Sequence, residues 1–232
     1  MAEPRAGGEA AAAAAATPRP GFFASTGRTA TMFLATCLDR LEDVRGLHEG
    51  HVPGDPPTPR LPLINLQNRR AWHDPAYAAQ VVAEARGAEA LTAAADGARV
   101  LVDAAFYNAP LLGALAARHP EARLFVIFRR CEDFVRSATI LRGEDRQPAG
   151  WPCRSKPLTD RERFIALGRL RPRREDPEGE AWDGWSAIQR NVWLWSRVNR
   201  RLHAVAAETP GCTRLLFEDL ARSPEAFWRA IL

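Results

Sequence analysis

The sequence predicts an α/β fold in three layers, a central parallel sheet flanked by helices on both faces. Three observations carry that expectation. Short apolar runs of strand length alternate along the chain with stretches whose apolar residues recur at helical spacing. The clearest run, Leu124-Phe125-Val126-Ile127-Phe128, is continuous rather than alternating, as in strands buried on both faces. The first such run also passes into a helix pattern through a small polar loop, the connection that aims backbone N–H groups at an anion.

Taken in order, residues 1–19 are an Ala/Gly/Pro-rich tail without fold information, and a single α/β domain is expected over residues 20–232. Gly21-Phe22-Phe23-Ala24 is the first strand run. Ser25 to Thr31 form the polar loop, and Met32, Phe33, Leu34, Cys37, Leu38 and Leu41 follow at helical spacing. Val44 to Leu47 is a second strand ending at His48-Glu49-Gly50, and His51 to Arg60 is Pro-rich loop. Leu61 to Leu66 is ambiguous, because Pro62 argues against a central strand. Pro75 to Ala95 is one alanine-rich helix, capped by Asp74 with Pro75 at its first position.

Val100 to Asp103 is a buried-type strand closing in a carboxylate, and Pro110 to Arg118 a short helix ended by His119-Pro120. After the clearest strand, helical spacing resumes over Phe134 to Leu141. Arg142 to Glu180 is charged and Pro-rich, with a turn expected near Phe164 to Leu167. Trp185, Ile188, Val192, Trp195, Val198, Leu202 and Val205 make one apolar stripe, predicting a helix of roughly 40 Å at about 1.5 Å per residue. Thr213 to Phe217 is the last strand and Pro224 to Leu232 a final helix start.

Composition excludes several classes. The 232 residues are 46% hydrophobic and 26% charged, which rules out a collagen-like fibre, a disulfide scaffold and a wholly disordered chain. The longest apolar run, Ala10 to Ala16, is far short of the ~20 residues a membrane span needs. Four cysteines stand without CxxC or metal-type spacing, as expected of free thiols in a reducing, cytoplasmic compartment. Net charge is +4, and every basic residue but Lys156 is arginine, the side chain whose planar fork suits phosphate and sulfate. The arginines are dispersed and no recognition motif for nucleic acid appears.

Two constellations concentrate the chemistry. In the loop Ser25-Thr26-Gly27-Arg28-Thr29-Ala30-Thr31, glycine allows close backbone approach, Arg28 bridges anionic oxygens and the hydroxyls add donors. It is not a nucleoside-triphosphate loop of the GxxxxGK[ST] kind, since Gly21 and Gly27 stand one residue too far apart and arginine replaces lysine. In the second, Phe128 to Ser137, a hydrophobic strand delivers Arg129 to the carboxyl edge of the sheet, where open α/β folds bind ligands.

Together the two segments resemble those of the PAPS-dependent sulfotransferases, which move a sulfuryl group from 3′-phosphoadenosine 5′-phosphosulfate (PAPS) to an acceptor. Ser25 to Leu34 looks like their 5′-phosphosulfate loop, and Arg129 to Ser137 like their 3′-phosphate segment. Leu215-Leu216-Phe217-Glu218-Asp219-Leu220 followed by Pro224 is similar to their Y-E-D-L-x-x-x-P stretch. The order and spacing agree from Pro20 to Leu232. The resemblance implies a P-loop-like version of the predicted fold, with PAPS as co-substrate, PAP as product and no metal. It places Arg28, Thr29 and Thr31 on the 5′-phosphosulfate with Ser25, Thr26, Gly27 and Ala30 of the same loop, and Arg129 with Ser137 on the 3′-phosphate. It also implies a base near the end of an early strand, for which Glu49 is favoured and His48 second. The expected partner is a small-molecule or glycan acceptor, with no membrane and no nucleic acid.

The departures from that pattern matter. Ala30 stands where the family prefers glycine, and Arg130 and Cys131 stand where an acidic residue and a proline are common. Ala104-Ala105 replace a region that often carries a lysine, and Leu232 falls where members usually continue with a closing segment, so the resemblance implies truncation and weakened transfer. Two other classes compete. In a nucleotide-dependent kinase Asp103 would be the magnesium carboxylate. A catalytically weakened nucleotide-binding homologue would retain the site alone. Trp185 and Trp195 are expected in the core, Trp182 and Trp193 toward a ligand or partner, and Arg169 to Arg174 as a solvated loop.

Overall fold

The computed structural model describes residues 17–55, 58–139 and 168–232. Among the described residues five strands, β1 (Arg19–Ser25), β2 (Val44–His48), β3 (Val100–Ala104), β4 (Arg123–Phe128) and β5 (Thr213–Leu216), form one sheet. Their order is β2-β3-β1-β4-β5 and every pairing is parallel. The helices are α1 (Thr31–Leu38), α2 (Asn68–His73), α3 (Pro75–Ala85), α4 (Ala88–Ala95), α5 (Leu112–Arg118), α6 (Cys131–Thr139), α7 (Ala187–Glu208), α8 (Asp219–Arg222) and α9 (Pro224–Ile231).

Strand periodicity sorts the core into two layers. Phe22, Ala24, Leu124, Val126 and Phe128 face one way, with Leu91, Leu112, Leu115, Phe134 and Leu202 from α4 to α7. Phe23, Phe125 and Ile127 face the other way, against Leu34 and Leu38 of α1 and Phe227 and Ile231 of α9. The three-layer α/β arrangement follows, with the sheet covered on both sides. On the α1 side, α1 lies directly on β2: a Cβ built on Gly46 would stand 2.2 Å from the Ala35 carbonyl oxygen. Only glycine fits there.

Several expectations change. β1 begins at Arg19, paired with Val100, one residue into the expected tail; residues 1–16 of that tail lie outside the described residues, as do Phe164 to Leu167 and Cys153. The single helix over Pro75 to Ala95 is two, broken at Arg86-Gly87. Gly87 closely abuts the Ala83 carbonyl, 2.6 Å from an added Cβ, and Arg86 turns inward (φ −135°) to form an ion pair. α2 was not anticipated, because Asn68-Arg69-Arg70 offers no apolar period. α6 starts three residues earlier than the apolar spacing, at Cys131, with Glu132 and Asp133 in its first turn, where acidic side chains suit the helix dipole.

The long helix α7 has 22 residues, or about 33 Å, and starts after Trp185 at a capping box of Ser186 and Gln189. Its buried face is Asn191, Leu194, Val198, Leu202 and Ala206, while Ile188 and Val192 of the apolar stripe are exposed. Trp182 is buried rather than turned to a ligand, and it packs edge-on to Trp193. Arg169 is buried, not part of a solvated loop.

Candidate functional site

All five strands are parallel, so their carboxyl ends share one edge, and the segments singled out by sequence leave from it. Ser25 ends β1 level with Ile127 of β4, and Arg129 follows β4 by one residue. His48 ends β2 level with Ala104 of β3. At about 4.8 Å between neighbouring strands, β4's exit adjoins that of β1, while β2's exit lies about 10 Å from β1.

The Ser25–Thr31 loop is built from the inside. Ser25 is buried, and its Oγ accepts from the Gly27 N–H (3.0 Å) and from the Thr29 hydroxyl (2.8 Å), curling the chain around one oxygen. Gly27, Arg28 and Ala30 all adopt left-handed backbone, with φ of 81°, 57° and 60°. Glycine does so freely, but Arg28 and Ala30 do so at a cost of about 1–2 kcal/mol each. Ala30 is also the N-cap of α1 and supplies no side-chain cap. Thr26, Thr29 and Thr31 are buried with the loop, whereas the Arg28 side chain is exposed.

The two arginine-bearing segments meet. Arg28 Nε donates to Ser137 Oγ at 3.0 Å, across 109 residues of sequence. Arg129 Nη1 donates to the carbonyl oxygen of Arg28. Arg129 is half-buried, its guanidinium 4.3 Å over the Phe217 ring, and its backbone carbonyl accepts from Trp195 Nε1 at 2.7 Å. Its Nε is buried with no hydrogen-bond partner among the described residues. Burial lowers its pKa, Asp133 and Glu218 oppose that, and Arg28 and Arg130 add to it. Arg130 takes up the acids instead, with Asp133 at 2.6 Å and its N–H on Glu218 at 3.0 Å. Phe217 and Glu218 are thus structural supports that the sequence placed only inside a motif.

At the other end of the edge, His48 Nδ1 lies 3.1 Å from the Ala104 carbonyl oxygen, and Glu49 is half-buried in left-handed backbone (φ 53°). The Gly50 N–H donates to Asp103 Oδ1 at 3.3 Å. Asp103 and Arg86 are both fully buried, with Arg86 Nη2 3.1 Å and Nε 3.2 Å from Asp103 Oδ2. Arg86 Nη1 also donates to the carbonyls of Pro62 and Ala85. Burial, then Asp103, pushes the Tyr107 phenol well above its ordinary value, with Arg86 opposing and Glu49 adding. The carboxylate expected to serve a metal in the kinase reading is therefore committed to an ion pair, a role its sequence context could not reveal.

Between these ends a cavity opens under Ser25 and Thr26, walled by Trp72, Phe106, Leu194 and Asn68. No cluster of histidine, cysteine and acidic residues suited to a metal ion occurs among the described residues. None of their helices is long and apolar enough to cross a membrane. In comparisons with family models, curated proteins and solved structures, nothing matches the chain.

Proposed function

We propose that the chain is a sulfotransferase that moves a sulfuryl group from PAPS to a hydroxyl or amine. The observation that carries this reading is the meeting of Arg28 with Ser137 and of Arg129 with the Arg28 carbonyl. Two segments a hundred residues apart, each resembling one half of a doubly anionic nucleotide site, share one crevice at the carboxyl edge. The residues present fit such a ligand. The orphaned Arg129 Nε offers a donor, and α1 begins without a side-chain cap on its first N–H groups.

When bound, PAPS supplies the sulfuryl group. Arg28 and the loop N–H groups would hold the 5′-phosphosulfate and stabilise charge on the departing phosphate, while Arg129 and Ser137 would clamp the 3′-phosphate. Ligand entry exchanges the Arg28–Ser137 hydrogen bond for contacts to phosphate. Glu49 is the favoured base for the acceptor's proton and His48 the second, its Nδ1–H donating to the Ala104 carbonyl and leaving Nε2 as the accepting nitrogen. Catalysis is then positioning and electrostatics, as in phosphoryl transfer.

One observation favours the weakened homologue as second reading: buried alanines, Ala104 and Ala105, stand at β3's exit in place of a lysine. Thermal shift separates the readings. PAP without metal, at 100 times its dissociation constant, should stabilise by about 2.7 kcal/mol, and Arg129→Ala should abolish the response. A response only to ATP with magnesium would overturn the proposal in favour of a kinase. PAP binding without sulfuryl transfer to any offered alcohol would select the weakened homologue.

A further inference from the structure

We infer that Arg69 and Arg171 together form a second oxyanion seat, apart from the Arg28–Arg129 crevice, that takes the phosphate monoester group of a ligand. Such a seat stands whether or not the crevice holds PAPS, so it goes beyond the sulfotransferase reading.

Packing brings the two side chains together. Arg69 lies in α2, and Arg171 in the segment that follows Gly168. Asn68 Nδ2 donates to the Gly168 carbonyl at 2.8 Å, across 100 residues of sequence. A Cβ on Gly168 would stand 2.2 Å from the Asn65 carbonyl oxygen, so only glycine lets that segment lie so close to the turn leading into α2. Leu170 and Pro172 are buried on either side of an exposed Arg171, and Asn68 and Ala71 are buried beside a half-buried Arg69. Each arginine therefore springs from anchored backbone, with its guanidinium at the surface. The segment expected to be a solvated loop is instead a wall of α2.

The pair lacks an anion from the fold. Burial, then Arg171, lowers the pKa of Arg69, and no carboxylate opposes them. Among the described residues neither guanidinium lies within ion-pairing distance of an acid. Their neighbours are provided for. Arg70 pairs with Asp74 at 3.6 Å, and Arg201 donates to the Trp72 and Pro110 carbonyls. Glu175 and Asp176 act on His73, one turn along α2 from Arg69, but Arg173 takes them up at 3.3 and 3.1 Å. Two like charges held together without a counter-ion are unfavourable, so their retention points to charge brought by a ligand. Two positive charges match a phosphate monoester, which carries about −1.5 to −2 near neutral pH, better than a singly charged carboxylate or sulfate ester. The planar guanidinium forks also suit tetrahedral oxygens gripped in pairs.

The test is titration of the full chain with methyl phosphate at pH about 7.5, followed through the arginine Nε–H resonances. Arg69→Gln and Arg171→Gln each remove one signal and so assign it, and neither side chain belongs to the core. In the wild type both signals should move along one saturable curve with a common midpoint. Loss of either arginine should weaken binding at the other at least about tenfold, the worth of a charge-assisted contact. Methyl sulfate, nearly the same shape with less charge, should bind about tenfold more weakly than methyl phosphate. Arg129→Ala should leave the curve unchanged, which separates this seat from the crevice. Four results would each overturn the inference: shifts that never saturate and that every exposed arginine shares (an adventitious ion only), different midpoints at the two signals, equal binding of methyl sulfate, or loss of the curve in Arg129→Ala.

Discussion

Two arginines stand at the same edge of the same sheet and do opposite things. Arg86 is fully buried and spends its guanidinium on Asp103 and two backbone carbonyls. Arg129 is half-buried, stacks on Phe217, gives one Nη to the Arg28 carbonyl and keeps its Nε unpartnered. The first has its anion supplied by the fold, with Asp103 Oδ2 3.1 Å away, and the second retains donor capacity beside a strained, glycine-bearing loop. The difference teaches that position at the carboxyl edge does not make an arginine a ligand group; what decides is whether the fold already supplies its anion.

The comparison breaks most visibly on removal of either side chain. Arg86→Ala leaves the Asp103 carboxylate buried and uncompensated, so unfolding in urea should show a loss of about 3–5 kcal/mol. Arg129→Ala removes a cation–π contact and a hydrogen bond at a half-buried site, and the same measurement should show only about 1 kcal/mol. Equal losses would erase the distinction drawn here.

The loop itself sharpens the contrast. Gly46→Ala, on the α1–β2 contact, should cost about 1–3 kcal/mol by overpacking against the Ala35 carbonyl. Ala30→Gly should instead stabilise by roughly 0.5–1 kcal/mol, because glycine adopts φ of 60° without the Cβ penalty that alanine bears. A thermal midpoint that fell in Ala30→Gly would contradict that account of loop strain.

The smallest effect is a pH dependence centred on His51, beside the exit of β2. Burial, then the neighbouring His48, lowers the pKa of His51 below its ordinary 6.5. In the window just below 6.5 the unfolded chain therefore binds more protons than the folded one. The contribution of His51 is complete above that value and is lost as pH falls through the depressed folded value. Thermal midpoints between pH 7.5 and 5.5 should decline on acidification, and His51→Gln should flatten the slope. His73, lowered chiefly by burial and by Arg173, acts in the same direction and sets the residual slope.

How much of this was legible in the sequence varies by region. The strands, the polar loop and the arginine after β4 were readable because each depends on a few neighbouring residues: a continuous apolar run, a glycine with hydroxyls, a charge just beyond a strand. α2 and the break between α3 and α4 were not, because polar sequence and an inward-turning arginine leave no periodic trace. The exposure of Ile188 and Val192 was equally hidden, since spacing gives a face without saying what covers it.

By itself, then, the sequence determined the alternation of elements, the layered α/β class and the residue types gathered at strand ends. Those follow from short-range chemistry, in which backbone propensity and burial period act over a few residues. Only the tertiary structure decided that Asp103 belongs to Arg86, that Arg28 reaches Ser137, and that Arg69 stands beside Arg171. Each of those is a pairing across a long loop, and its energy depends on geometry that strand order and register impose.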